Sequence, residues 1–188
     1  MDIILIVIGV MALLVVLFVV GMYNGLVKLR NHCDEAWSNI DTELQRRYDL
    51  IPNLVNTIKG YAAHEKQVLE EVTRLRALCV DDHGTPDHQA GTENKMLAVL
   101  GPLLARVEDY PDLKADKNFL QLQEELVFTE DRIQAARRFY NGNVRENNNK
   151  VQIFPSSIIA NGFNFALREF FEIRDVRAYT TPKAEFNK

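Results

Sequence analysis

From residue 3 to residue 27 the chain carries no charged side chain, and residues 3–20 are almost wholly aliphatic. At 1.5 Å rise per residue, about 20 such residues cross a hydrocarbon layer of roughly 30 Å. A cleaved secretory leader is the other reading of an apolar N-terminus, and it needs a basic leading segment and a small-residue cleavage site. The chain begins Met1-Asp2 and shows no Ala-x-Ala before its polar region. The expectation is a retained transmembrane anchor over residues 1–23. Lys28 and Arg30 come after the run and Asp2 precedes it, so the positive-inside rule expects the N-terminus outside and the remainder in the cytoplasm. Gly21 and Gly25 form a Gly-x-x-x-Gly at the end of the run. This spacing either lets a second membrane helix approach closely or marks a helix end that happens to carry glycines.

Beyond the anchor the chain is polar but not basic. All 22 Lys and Arg residues lie at or beyond Lys28, as do all the 26 acids except Asp2. Without Asp2 the balance is 25 acids against 22 bases, a net of −3 with both signs interspersed. A nucleic-acid binder needs a clustered basic face, so nucleic acid is not an expected partner. Cys33 and Cys79 are the only cysteines. They form no Cys-x-x-Cys and read as reduced packing residues, with a disulfide left open by counting alone.

Helical periodicity dominates the polar region. Leu26, Leu29, Cys33, Trp37, Ile40, Leu44, Tyr48 and Ile51 recur at three- and four-residue steps. A second seam over residues 50–80 holds Leu54, Ile58, Ala62, Leu69, Val72 and Leu75. Residues 92–108 repeat the pattern with Met96, Leu97, Leu100, Leu103, Leu104 and Val107. A fourth stretch contains Phe119, Leu122, Leu126, Thr129, Ile133, Ala136, Tyr140, Val144 and Val151. No β-type alternation competes. The expected fold is all-α: a single transmembrane helix, then an antiparallel up-and-down four-helix bundle over residues 24–153.

Asp49 can cap a new helix whose first turn holds Pro52; the competing reading is one long helix kinked at Pro52. Residues 81–91 read as a loop, and Tyr110, Pro111 and Asp112 as a turn after which Asp116 or Asn118 can cap the fourth helix. Alternating directions would make the Asp49–Pro52 and Tyr110–Lys114 turns neighbours at the membrane-distal tip. Residues 154–188 would then begin near the bilayer, where Phe163, Phe165, Phe170 and Phe171 either rest on the lipid interface or pack back onto the bundle end. From Ala178 the chain reads as a frayed tail.

Motifs for chemistry are missing. There is no Gly-x-Ser-x-Gly, no Walker loop and no Gly-x-Gly-x-x-Gly, and His64-Glu65 lacks the second His of a zincin motif. The Glu-x-x-His of di-iron bundles is absent too. His83 and His88 among Asp81, Asp82 and Asp87 could hold a divalent ion, but such a loop is usually solvated. Glu43 with Arg47, and Glu70 with Arg74, read as helix-face pairs at i,i+4. Asp49 beside Arg46 and Arg47 reads as a docking point or, more simply, a cap with a solvated pair. No catalytic residue, cofactor or metal site is expected.

Several ordered blocks resemble the LemA family. They are Tyr23-Asn24-Gly25-Leu26-Val27-Lys28-Leu29-Arg30-Asn31, Asp34-Glu35-Ala36-Trp37-Ser38-Asn39-Ile40-Asp41 and Leu44-Gln45-Arg46-Arg47-Tyr48-Asp49-Leu50-Ile51-Pro52-Asn53-Leu54-Val55. Lys59-Gly60-Tyr61-Ala62, Tyr110-Pro111-Asp112-Leu113-Lys114-Ala115, Thr129-Glu130-Asp131-Arg132-Ile133 and Ala136-Arg137-Arg138-Phe139-Tyr140-Asn141 come after them in order. The resemblance implies a bacterial inner-membrane protein with an N-terminal anchor and a four-helix bundle, without established enzymatic activity or agreed molecular function. Two departures stand out: residues 141–149 are rich in Asn, which would let the last helix fray or bend, and residues 81–91 are poor in Ala. The expected function is a non-enzymatic interaction or assembly module whose partners are the lipid bilayer and either another protein or further copies of itself. The alternative is a membrane-interface protein, binding or shaping lipid through its C-terminal aromatic segment.

Overall fold

A computed structural model describes residues 2–61 and 65–173, apart from the side chain of Glu108. Ala62 of the second seam and the tail beyond Ala178 therefore lie outside the described residues. Among those described, helices alone make up the regular structure: α1 (Asp2–Tyr61), α2 (Lys66–Val80), α3 (Pro86–Arg106), α4 (Pro111–Lys114), α5 (Lys117–Gln152) and α6 (Ser156–Gly162). A 3₁₀ turn, Val107–Asp109, joins α3 to α4.

The joints arise from local chemistry. Pro86 and Pro111 open α3 and α4, where a missing amide donor is no loss. Asp116 caps α5 by accepting the Phe119 amide at 3.0 Å, as its position allows, and this hydrogen bond is the first cause that holds its carboxyl below the usual range.

The expected turn at Asp49 and Pro52 does not form. α1 runs through Pro52 to Tyr61, and Asp49 lies on the helix surface, accepting a hydrogen bond from Gln45 Nε2 at 2.9 Å. A proline inside a helix deprives the carbonyl four residues earlier of its donor. That carbonyl belongs to Tyr48, and Arg76 Nε from α2 donates to it at 2.6 Å. The helix survives the proline because a neighbouring guanidinium supplies the missing hydrogen bond. The described part of α1 reaches Tyr61, whose hydroxyl donates to Asp116 Oδ2 at 2.9 Å.

The described residues fall into two compact units, each with its own core. The first comprises residues up to Ser38 with Phe139–Glu169. Its apolar centre includes Leu26, Val151 and Ala160, with Ile159 and Phe165 packed against them. Trp37 packs on Tyr140 with ring centroids 5.3 Å apart, and the Tyr140 hydroxyl donates to the Glu169 carbonyl. The Asn-rich segment neither frays nor bends out of the helix: α5 continues to Gln152. Asn148 holds the backbone of Arg168 at both ends, accepting its amide and donating to its carbonyl, each at 2.8 Å.

The second unit comprises the described residues of Asn39–Arg138 together with Phe170 to Ile173. Its core draws on Ile40, Leu44, Ile51, Leu54 and Ile58 of α1, Leu69, Val72 and Leu75 of α2, and Met96, Leu97, Leu100 and Leu103 of α3. Leu113, Phe119, Leu126 and Ile133 complete it. α1 and α5 each supply residues to both units.

The apolar run at the start of α1 takes no part in either core. It is long and apolar enough to cross a membrane, and none of it is buried. A run of water-exposed aliphatics of this length is far larger than the apolar patches soluble proteins tolerate.

Candidate functional site

The second unit encloses a charged cluster. Arg47 is completely buried, and its guanidinium donates to Glu93 of α3 and, at 2.8 Å, to Glu130 of α5. Glu93, 1 % exposed, also accepts from the Tyr48 hydroxyl. Burial pushes the Tyr48 phenol well up, with the Arg47 guanidinium acting against it. Burial likewise lifts the Cys79 thiol to about 11. A second ion pair is half-buried, where the exposed Arg132 donates through Nε to the buried Glu43 at 2.8 Å.

These contacts replace the local pairs expected from spacing. Glu43 meets Arg46 and Arg132 rather than Arg47, and Arg74 pairs with Glu71 while Glu70 faces Lys66. Arg47 is therefore no docking point on the surface. The cluster had a legible signal, because each charge interrupts an apolar row. Arg47 stands between Leu44 and Ile51, Glu93 between Ala90 and Leu97, and the partly buried Glu130 between Leu126 and Ile133, the flanking apolar residues all being buried. Chemically the cluster is a clamp. Its carboxylates are committed to one guanidinium and one phenol, which cross-link α1, α3 and α5 at a fixed register.

The connection between α2 and α3 is shorter than the 81–91 loop expected, because Pro86 already opens α3, and within it Asp82 organises the turn. It accepts from the Gly84 amide at 3.0 Å and the Thr92 hydroxyl at 2.6 Å, and stands 3.0 Å from His88 Nδ1. Partial burial raises its carboxyl, and these hydrogen bonds outweigh the burial and hold it below the usual aspartate range. Among the described residues no group of three or more His, Cys, Asp or Glu side chains is arranged to hold a metal ion.

The aromatic residues expected at a lipid interface separate. Phe171 is fully buried in the second unit, so it is not free to meet lipid. Its apolar neighbour Ile173 is buried as well, and the Ile173 carbonyl accepts from Arg137. Phe170 lies at the edge of exposure. Phe165 packs on the core of the first unit and beside Tyr23, with centroids 5.7 Å apart. Phe163 packs edge-on to Tyr23 at 4.9 Å yet stays 57 % exposed. Phe154, which the periodicity gave no role, is 74 % exposed, with Ile153 and Ile158 also exposed. Besides the leading run, Phe139 and Leu167, the first unit thus exposes Ile153, Phe154 and Ile158 at the α5–α6 corner, where Ile153 and Phe154 line a groove with Met22 and Gly25. Gly21 and Gly25 touch nothing: an added Cβ at either would meet no atom within 4 Å.

Comparison with known proteins adds the family context. The LemA family model matches residues 36–186. Protein LemA of Metamycoplasma hominis is 28 % identical over 165 residues, which cover 86 % of this chain and 75 % of that protein. Magnetosome protein MamQ of Magnetospirillum gryphiswaldense is 24 % identical over 174 residues, and Magnetosome protein MamQ 2 of Paramagnetospirillum magneticum 25 % identical over 175. These alignments cover 79 % and 80 % of this chain but 64 % of each MamQ protein, so the chain spans just under two thirds of their length.

Proposed function

The chain belongs to the LemA family, and on that premise we propose that it is a single-pass protein of a bacterial inner membrane whose helices form a non-enzymatic interaction or assembly module. In this reading α1 leaves the membrane and continues into an antiparallel four-helix bundle made with α2, α3 and α5. The N-terminus lies outside and the bundle in the cytoplasm, as the placement of Lys28 and Arg30 favours. One observation carries the proposal: an apolar stretch, residues 3–20, with none of its side chains buried, is continuous, in one helix from Asp2 to Tyr61, with a face that packs a core. A helix built this way ties packed residues to the apolar stretch in one element, which suits a tether that presents a surface.

Contacts among the four long helices support the bundle arrangement. Arg76 reaches the Tyr48 carbonyl from α2, Glu93 meets Arg47 from α3, and Arg132 meets Glu43 from α5. The side chains of the buried clamp are engaged with one another, which fits a structural role better than a catalytic one. Crosslinking in native membranes followed by mass spectrometry tests the proposal. Recovery of a defined protein partner, or of the chain crosslinked to itself, is expected; a strictly monomeric, unpartnered protein at native abundance contradicts it.

A second reading has its own observation. Exposed Ile153, Phe154 and Ile158 at the α5–α6 corner, and exposed Phe163 against Tyr23, suit a protein that works at the lipid interface. Here the interfacial residues are those of the α5–α6 corner, and Phe171 is not among them. Replacing Phe154, Ile158 and Phe163 with Ser should weaken liposome binding of residues 24–188, which lack the leading apolar run, while replacing Phe170 should not.

A further inference from the structure

Between α1 and the end of α5, within the first unit, lies an open groove of about 600 Å³. Its apolar walls are Met22, Leu29, Ile153 and Phe154, and its floor at Gly25 has no side chain. Lys28 and Lys150 line it together with His32, against one carboxylate, Glu146. Two lysines against one glutamate leave the groove cationic even with His32 neutral. The Ser156 hydroxyl takes up the carbonyls of Lys150 and Ile153, at 2.6 and 2.8 Å, so the end of α5 does not present both of them bare to an anion.

The depth of the groove identifies what can reach it. If the hydrocarbon crossing ends near residue 22, Gly25 stands roughly 4 Å and Lys28 roughly 9 Å further along the helix axis. The Met22 end of the apolar wall then meets the acyl boundary while Lys28 and, one residue further on, Leu29 stand at headgroup level, with exposed Phe154 lining the same groove. We propose that this groove seats one phospholipid with a net negative headgroup, its phosphate between Lys28 and Lys150 and the start of an acyl chain along Met22, Gly25 and Phe154. Each lysine near an anionic surface contributes about fivefold in affinity. The inference rests on α1 crossing the membrane and otherwise stands apart from the question of protein partners.

The test uses the full chain in phosphatidylcholine vesicles, with Trp37→Phe removing the native indole and Phe154→Trp placing a new one at the groove. Brominated phosphatidylglycerol at a tenth of the lipid should quench that indole at least tenfold more effectively, per mole, than brominated phosphatidylcholine. Lys28→Gln with Lys150→Gln should abolish most of that preference, and Lys28→Arg with Lys150→Arg should retain it. Helicity measured on each variant guards against misfolding. Equal quenching by the two brominated lipids overturns the proposal while leaving the membrane placement intact, whereas no quenching by either overturns the placement itself. Two further results overturn it: loss of the preference in excess inorganic phosphate, which would make the groove a soluble-anion site, and quenching that fades as protein is raised against lipid, which would seat a second copy there.

Discussion

Substituting Arg47 by Met probes the buried clamp most sharply. The change removes the guanidinium that faces Glu93 and Glu130 but keeps most of the apolar stem, so the packing loss is small and the electrostatic loss complete. Glu93, 1 % exposed, is left with the Tyr48 hydroxyl alone. Removing one member of a buried ion pair costs about 3–5 kcal/mol, because the stranded charge has neither water nor partner. Against a typical total of about 5–15 kcal/mol this is a large fraction. For a chain of this size each kcal/mol shifts the unfolding midpoint by about 2–4 °C, so Arg47→Met should melt roughly 6–20 °C lower. The assay is thermal loss of helicity in detergent, with Glu93→Gln and the double variant completing a cycle. Gln still accepts from Tyr48 but leaves no stranded charge, so the pair should couple by on the order of 1–3 kcal/mol. A single variant within about 2 °C of wild type, or strictly additive effects in the cycle, would refute the account of the clamp.

Other perturbations test individual contacts. Arg76→Ala should cost about 1.5–3 kcal/mol, the range for a hydrogen bond to a charged group, and less in a Pro52→Ala background, where the helix regains its own amide donor for Tyr48; equal losses in both backgrounds, by chemical denaturation, would contradict the repair. Asp82 is held below its ordinary range, so its contribution is complete above the unfolded aspartate pKa of about 4 and is lost as pH falls through the lower folded value. The stability gap between wild type and Asp82→Asn should therefore stay flat above about pH 5 and shrink below about pH 4; a gap that widens on acidification would exclude this role. With its thiol near 11, Cys79 should be alkylated at pH 8 roughly a hundredfold more slowly in the folded chain than after denaturation, and Cys33, also raised by burial, should lag too.

The class of the fold is open to reading because its cause is periodic. Rows such as Leu26, Cys33, Ile40, Leu44 and Ile51 announce one buried helical face, and the structure buries each of them. The uncharged run is equally plain. What the pattern does not carry is compensation from elsewhere in the chain. Pro52 reads locally as a break, and only Arg76, 24 positions further along, makes a continuous helix possible. The Asn-rich stretch reads as weak helix, yet Asn148 is anchored by the backbone of Arg168. Arg47, Glu93 and Glu130 escape notice because charge usually marks a solvated face, although each interrupts an apolar row at a position that must point inward. The aromatic segment misleads in the opposite sense. Clustered phenylalanines look alike in a string, but Phe171 is in a core and Phe163 at the surface, a distinction that depends on a turn after α6 that no local pattern encodes.

The intact mass of the protein recovered from alkaline-washed bacterial membranes tests the placement of the leading helix most directly. A full-length chain retained in the washed membrane is the predicted result, since residues 3–22 would be held in hydrocarbon and their helix continues unbroken into the packed body. A species released by the wash, or one whose mass lacks the first two dozen or so residues, would contradict it.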